Sequence, residues 1–174
     1  MGYRACGVIE LPPEVEAVFR EFRTCEMSTL ARDGSPITWP TLPFWRPAEG
    51  RFLITTSIGL PHKAFNVRRN PRVSLLFSNP VASALTDPPA VLVQGDAEAP
   101  DEVTASVEGF EEEVREVFRR QPASGFYSGN PVTRYLFDWY YMRLQIFVTP
   151  RRILWWPGRD FEAEPCTLEV ARVG

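Results

Sequence analysis

A chain of 174 residues is long enough for one domain with a sizeable core, and 44% hydrophobic with 24% charged residues is ordinary for a globular protein. The net charge of -3 excludes the broad basic face that general nucleic-acid binding needs. Cys6, Cys25 and Cys166 stand far apart with no CxxC among them, which excludes a zinc ribbon and a disulfide framework.

The opening MGYRACGVIELPP has no long apolar run, so neither a signal peptide nor a membrane span is expected, and the expected setting is the reduced cytoplasm. Met1-Gly2 is similar to a myristoylation start, but Cys6 stands where Ser or Thr is required. Pro12-Pro13 followed by Glu14 predicts a helix start: proline suits the first turn, and an acid there meets the positive end of the dipole. Val15, Val18, Phe19 and Phe22 recur at i, i+3, i+4 and i+7, which predicts one buried stripe.

The period then changes. Residues 27–32, Asp33-Gly34 and residues 36–45 predict a β-hairpin, since Asp-Gly supplies the positive φ of a primed tight turn. Pro40 and Pro43 remove backbone donors, so the second strand is expected at an edge or with a bulge. A turn at Pro47-Ala48-Glu49-Gly50 leads into a strand at 51–57, a short helix at 61–69, and strands at 72–78 and 91–98. Residues 102–120 place Val103, Val107, Phe110, Val114, Val117 and Phe118 on one helical face, with Glu111-Glu112-Glu113 as a solvated side. A Gly/Ser/Pro loop at 122–131, a helix at 131–140, and a last strand pair at 142–149 and 152–156 complete the pattern. Antiparallel strands joined by tight turns, with helices between them, predict a mainly β (α+β) barrel rather than a parallel sheet. The expected organisation is a single domain over 1–174, with a tail and helix at 1–24, a helical insertion at 99–140 and a C-terminal extension at 157–174.

Residues 54–77, "ITTSIGLPHKAFNVRRNPRVSLLF", hold the only lysine and the only histidine of the chain. A strand ends at Thr55-Thr56-Ser57, the chain bends through Gly59, and a helix begins at Pro61. Free N–H groups at a helix start favour an anion, and Lys63 is a compact charge for a phosphate, with Arg68 and Arg69 nearby. The same spacing also fits a short amphipathic connector with solvated bases. His62 reads either as a general acid or phosphate donor, or as a solvated helix residue. One histidine excludes a His-rich metal site, and no GxSxG elbow is present, so covalent hydrolysis is not expected. The aromatic residues Trp39, Phe44, Trp45, Tyr135, Phe137, Trp139, Tyr140, Tyr141, Phe147, Trp155 and Trp156 fit a core, a subunit contact or the wall of a planar cofactor.

Taken in order, "STLARDGSPITWPTLPFW", "RFLITTSIGLPHKAFNVRRNPRVSLLFSN" and "VLVQGDAE" resemble the FMN-binding split β-barrel family, that of pyridoxamine phosphate oxidase and its flavin- and deazaflavin-dependent relatives. Lys63, Asn66, Val67, Asn70, Pro71 and Arg72 match its K-x-x-N-(L/V)-x-x-(N/D)-P-R segment in register, and "FVTPRRILWWPG" is consistent with its closing strands.

The resemblance implies a six-stranded antiparallel Greek-key split barrel with peripheral helices, forming a homodimer with two flavins at the interface. It implies FMN, or alternatively coenzyme F420, with Lys63 on the phosphate beside His62 and the Thr55, Thr56 and Ser57 hydroxyls. Thr38, Trp39, Pro40 and Thr41 would border the isoalloxazine ring, and Trp155 or Trp156 would approach from the other subunit. The implied activity is an oxidoreductase passing hydride at flavin N5 with a small organic substrate, needing no catalytic acid or base from the protein. The alternative is a non-catalytic flavin- or haem-binding barrel, with His62 as the one available axial imidazole. The R-x-V-L-L-K strand of the vitamin oxidases is replaced by Trp39-Pro40-Thr41-Leu42-Pro43-Phe44, Ala90 stands at their glutamine, and their C-terminal R-x-H is missing. These departures point away from vitamin B6 as substrate.

Overall fold

The computed structural model describes residues 9–81, 83–104 and 142–170. Helix α1 (Pro13–Glu21) starts as expected at the proline pair and buries Val15, Val18 and Phe19, with Phe22 just beyond it. Phe19 lies 4.8 Å from Phe52, 5.2 Å from Phe77 and 5.3 Å from Trp45, ring centre to ring centre, so the helix is anchored in an aromatic nest. Burying each such ring contributes roughly 1.5–3 kcal/mol, far more than the propensity of so short a helix.

Strand β1 (Cys25–Leu30) pairs with β2 (Pro36–Thr41) from Cys25↔Thr41 to Leu30↔Pro36. The hairpin is as expected, but its turn is not the primed type. Gly34 has φ +85° while Asp33 stays out of the left-handed region, and Gly34 N–H donates to Ala31 O at 3.0 Å. This is a type I turn closed by a left-handed glycine. The Asp33 carboxylate accepts from Ser35 N–H and hydroxyl, which holds it below the usual carboxylate value and fixes the turn.

The strand expected over 36–45 divides at Leu42. After β2, strand β3 (Pro43–Arg46) pairs with β4 (Arg51–Ser57) instead of β1. Pro40 and Pro43 flank the change of partner, where missing N–H groups cost no ladder bond. Helix α2 (His62–Arg69) then leads to β5 (Arg72–Phe77) and β6 (Ala90–Glu98). The helix expected from 102 does not begin there, because Val103–Thr104 forms β7 against the start of β8. The remainder of that helix with its acid run, the 122–131 loop, the 131–140 helix and the aromatic residues from Tyr135 to Tyr141 lie outside the described residues.

The expected closing strand pair is one strand, β8 (Arg143–Trp156). Thr149-Pro150-Arg151 contains no residue that reverses the chain; it forms a bulge instead, where the register against β6 shifts between Gln94 and Gly95. Along one side β8 carries β6 and β7, and along the other β4 and then β9 (Cys166–Glu169). The antiparallel order is β2-β1-β5-β6-β8-β4-β3. Its two ends are consecutive in the chain with Leu42 between them, so the sheet curls into a split barrel. The six longer strands are those of the expected barrel, and β3, β7 and β9 are short additions. Phe19, Phe22, Met27, Phe52, Ile54, Leu75, Phe77, Ile146 and Ile153 fill its interior. A second cluster, Phe44, Leu53 and Phe147, lies on the opposite face, capped by the Arg51 guanidinium 4.0 Å from the Phe147 ring. Among the described residues no helix is long and apolar enough to cross a membrane.

Gly95 sits under the β8 bulge, and a Cβ placed on it would lie 2.5 Å from Thr149 O. Gly95→Ala must therefore part β6 from β8. The expected loss is about 1–3 kcal/mol in urea unfolding, and wild-type stability in this variant would show that the two backbones are not in tight contact.

Candidate functional site

The segment between β4 and β5 is held by its own polar side chains. Thr56 Oγ1 donates to Leu60 O at 2.8 Å, and Ser57 Oγ accepts from Gly59 N–H at 3.2 Å, so both hydroxyls shape the bend. Pro61 precedes α2, and no side chain caps the helix's first turn. The N–H groups at its start are left for solvent or a ligand.

Helix α2 is docked rigidly behind that turn. Asn66 Nδ2 donates to Thr29 Oγ1 at 2.9 Å, with Asn66 4% and Thr29 1% exposed, while Arg69 Nη2 donates to Asn66 Oδ1. Arg68 donates to Ala99 O, Pro100 O and Asp101 Oδ1 at 2.7–2.9 Å. Arg68 and Arg69 therefore fasten the C-terminal half of the helix rather than adding to a charge field at its start. Asn66, matched by sequence to a family motif, is a buried bracket between α2 and β1.

Lys63 is half-buried, with its ammonium 5.6 Å from the centre of the Trp39 ring. Burial strips water from the charge and pushes its pKa below the ordinary value, and the positive charge of Arg143 pushes it the same way. Among the described residues no carboxylate pairs with Lys63. Arg143 opens β8 directly opposite Ser57, the last residue of β4. Lys63 and Arg143 are thus brought together beside the start of α2, where an anion would offset the repulsion between them.

The remaining expected site residues distribute by strand alternation. Trp39 and Thr41 lie on the β2 face shared with Met27 and Cys25, while Thr38 and Pro40 lie on the other; Thr38 shares a 2.8 Å hydrogen bond with Ser28. Thr55 is opposite Gln145, on the face away from Thr56. His62 is exposed beside Lys63. Trp155 packs at the core margin and Trp156 stacks near Phe161 at 5.7 Å. Trp45, by contrast, belongs to the interior with Phe19 and Phe52. The structure therefore joins Lys63, Trp39 and the β4 bend, and it separates Thr38 from them by the thickness of β2. Arg143 was not recognisable from sequence, because only the β4–β8 register brings it here.

A family model described as Pyridoxamine 5'-phosphate oxidase matches residues 11–133. Among solved structures, a general stress protein 26-related protein of the pyridoxinephosphate oxidase family from Clostridium acetobutylicum superposes with a TM-score of 0.58 at 11% identity, covering 90% of this chain and 92% of its own. An F420 reductase gives 0.55 at 18%, covering 82% and 98%. A heme binding protein from Mycobacterium smegmatis gives 0.55 at 18%, covering 92% of this chain and 60% of its own. At these identities the likeness is one of fold. No curated protein matches the sequence.

The lowered pKa of Lys63 means that the unfolded chain binds this proton more tightly than the folded one. Stability therefore rises as pH climbs towards the ordinary lysine value of 10.5, and the charged lysine weakens the ligand-free fold below it. In thermal melts of ligand-free protein, Lys63→Met should melt higher than wild type at neutral pH and lose that part of the pH slope. A lower melting point for Lys63→Met at all pH values would mean that the ammonium already has a favourable partner.

Proposed function

The chain belongs to the pyridoxamine 5'-phosphate oxidase family, and from that premise we propose that it binds a phosphate-bearing flavin or deazaflavin, FMN or coenzyme F420, as an oxidoreductase for a small organic molecule. The observation that carries this reading is the partly desolvated Lys63, with no carboxylate partner among the described residues, beside Arg143 at the start of α2, which no side chain caps among those residues. A phosphate there would be held by two cations and by backbone N–H groups, in a place too dry for an unpaired cation to be stable.

In this reading Lys63, Arg143 and the first turn of α2 bind the phosphate, with His62 at its rim. Thr55, Thr56 and Ser57 shape the bend that presents those groups. Trp39, Pro40 and Thr41 border the ring, with Thr38 behind them, and Trp39 also shields Lys63 from water. When bound, the cofactor supplies hydride chemistry at N5. The protein's share is position, charge and exclusion of water. A homodimer would place further walls around the ring. The sequence departures from the vitamin oxidases favour a substrate other than vitamin B6.

A second reading is a binding barrel without turnover. It is favoured by the solved neighbours described as a heme binding protein and, from Vibrio cholerae, a heme storage protein. In this chain it would depend on His62, the only imidazole.

The test is titration of purified protein with FMN, F420 and haem. Lys63→Ala and Arg143→Ala are each expected to weaken FMN or F420 binding roughly 10- to 100-fold while the far-ultraviolet spectrum stays native. Wild-type affinity in both variants would remove the phosphate from this site. Tight haem binding lost in His62→Ala, with no flavin binding, would establish the second reading.

A further inference from the structure

The face of the sheet turned away from the core carries a feature that the cofactor reading does not use. The strand registers set Thr38 opposite Ser28, Ser28 opposite Ser74, Ser74 opposite Gln94 and Gln94 opposite Arg152, a row of polar side chains across five strands. The neighbouring row on the same face carries Glu26 opposite Leu76, followed by Leu92 and Leu154, so it turns apolar from β5 to β8. Next to this band on its other side Arg72 faces Asp96 across β5 and β6, and the β8 bulge brings in Arg151. Ser28, Ser74, Gln94, Arg72 and Arg151 line a cleft of about 350 Å³, walled by Leu30 and Pro36, with Asp96 beside the two arginines. That volume lies in the range of small-molecule sites.

The donors of this cleft exceed its acceptors. Arg72 and Arg151 cannot lose their charge, and among the described residues Asp96 is the carboxylate close to them. Arg151 Nε lies 3.4 Å from Asp96 Oδ2, an ion pair without hydrogen-bond geometry, so this nitrogen is shielded from water yet donates to nothing. Among the described residues the Arg72 guanidinium, the Ser74 hydroxyl and the Gln94 carboxamide also lack partners. A solvated strand face has no reason to shelter a guanidinium nitrogen in this state, since a buried donor without an acceptor is costly.

We propose that this cleft is a second binding site, distinct from the Lys63 site, for a small organic carboxylate. Its carboxylate would lie between the Arg72 and Arg151 guanidiniums and accept from Ser74 and Gln94, with its apolar body on Leu30 and Pro36. The guanidinium fork matches a carboxylate geometrically. Among the described residues two arginines stand beside one carboxylate, Asp96, a balance that suits a monoanion better than a phosphate dianion. Strand β2 divides the two sites: Thr38 borders the cleft, and Trp39, the next residue, turns to Lys63.

The test titrates the full chain with acetate, benzoate and 3-phenylpropionate, each against its neutral amide, and with inorganic phosphate, reading amide shifts by nuclear magnetic resonance. The expected result is saturable binding of at least one acid and not of its amide, weakened about tenfold or more in both Arg72→Gln and Gln94→Leu and unchanged in Lys63→Ala. Both cleft residues are exposed, so the variants should melt like wild type without ligand. The proposal is overturned if no acid binds better than its amide, or if both cleft variants keep wild-type affinity. It is also overturned if phosphate binds more tightly than every acid, or if Lys63→Ala abolishes the response. Because Lys63→Ala separates the two sites, a failure here leaves the cofactor reading standing, and the converse holds.

Discussion

The close approach of β6 to β8 at Gly95 and Thr149 is the constraint on which the barrel rests. Strand β8 must serve four partners, and a flat strand interrupted by Pro150 could not do so. Its N-terminal half pairs with β4 and β7 and its C-terminal half with β9, while β6 stays paired on both sides of the bulge. Only a residue without Cβ lets the two backbones meet at that step. Both candidate sites hang from this spine. Arg143 is placed at its start, Ser57 is opposite it, and Arg151 emerges from the bulge itself.

The Lys63 region carries a cost in stability. A fold selected for stability alone would place this ammonium in water or against a carboxylate. Here it is half-buried, beside a second cation and above an aromatic ring, whose quadrupole offsets only part of the lost hydration. The scaffold that keeps it there is correspondingly firm. The buried Asn66–Thr29 bond fixes α2 to β1, and Arg68 ties the other end of the helix to three groups after β6. Rigidity behind the helix start means that little ordering remains to oppose ligand binding.

Much of this was legible in local sequence, wherever the cause was local. The Val15, Val18, Phe19 and Phe22 stripe gave α1, and Asp33-Gly34 located the first hairpin, although Ser35 and a left-handed Gly34 decided the turn type. Lys63 stood out because no other lysine exists. What stayed hidden depends on partners far along the chain. Pro40 and Pro43 signalled an irregular strand, but that it exchanges β1 for β4 at Leu42 is a property of closure. Thr149-Pro150 read as a break because nothing nearby announces the strand that stays paired across it. Arg68 and Arg69 looked like ligand-binding bases; the approach of residues 99–101 reveals Arg68 as a fastener, and the bond to Asn66 does the same for Arg69. Arg143 had no signal short of the β4–β8 register.

Strand β2 draws these points together. As an end strand of the sheet order it pairs with β1 alone, so both of its faces and one of its edges are free of further strands. An end strand with a full set of donors invites pairing with another chain, and Pro36 and Pro40 remove that hazard without shielding the side chains. The period-two alternation then does the rest, sending Thr38 to a polar band and Trp39 to a desolvated lysine from adjacent positions. A strand inside the sheet would lend at most one face to a ligand, because the other would be core. The exchange of partners at Leu42 is therefore more than a means of closing the barrel. It leaves β2 at the seam, where one six-residue strand lies between the two proposed sites.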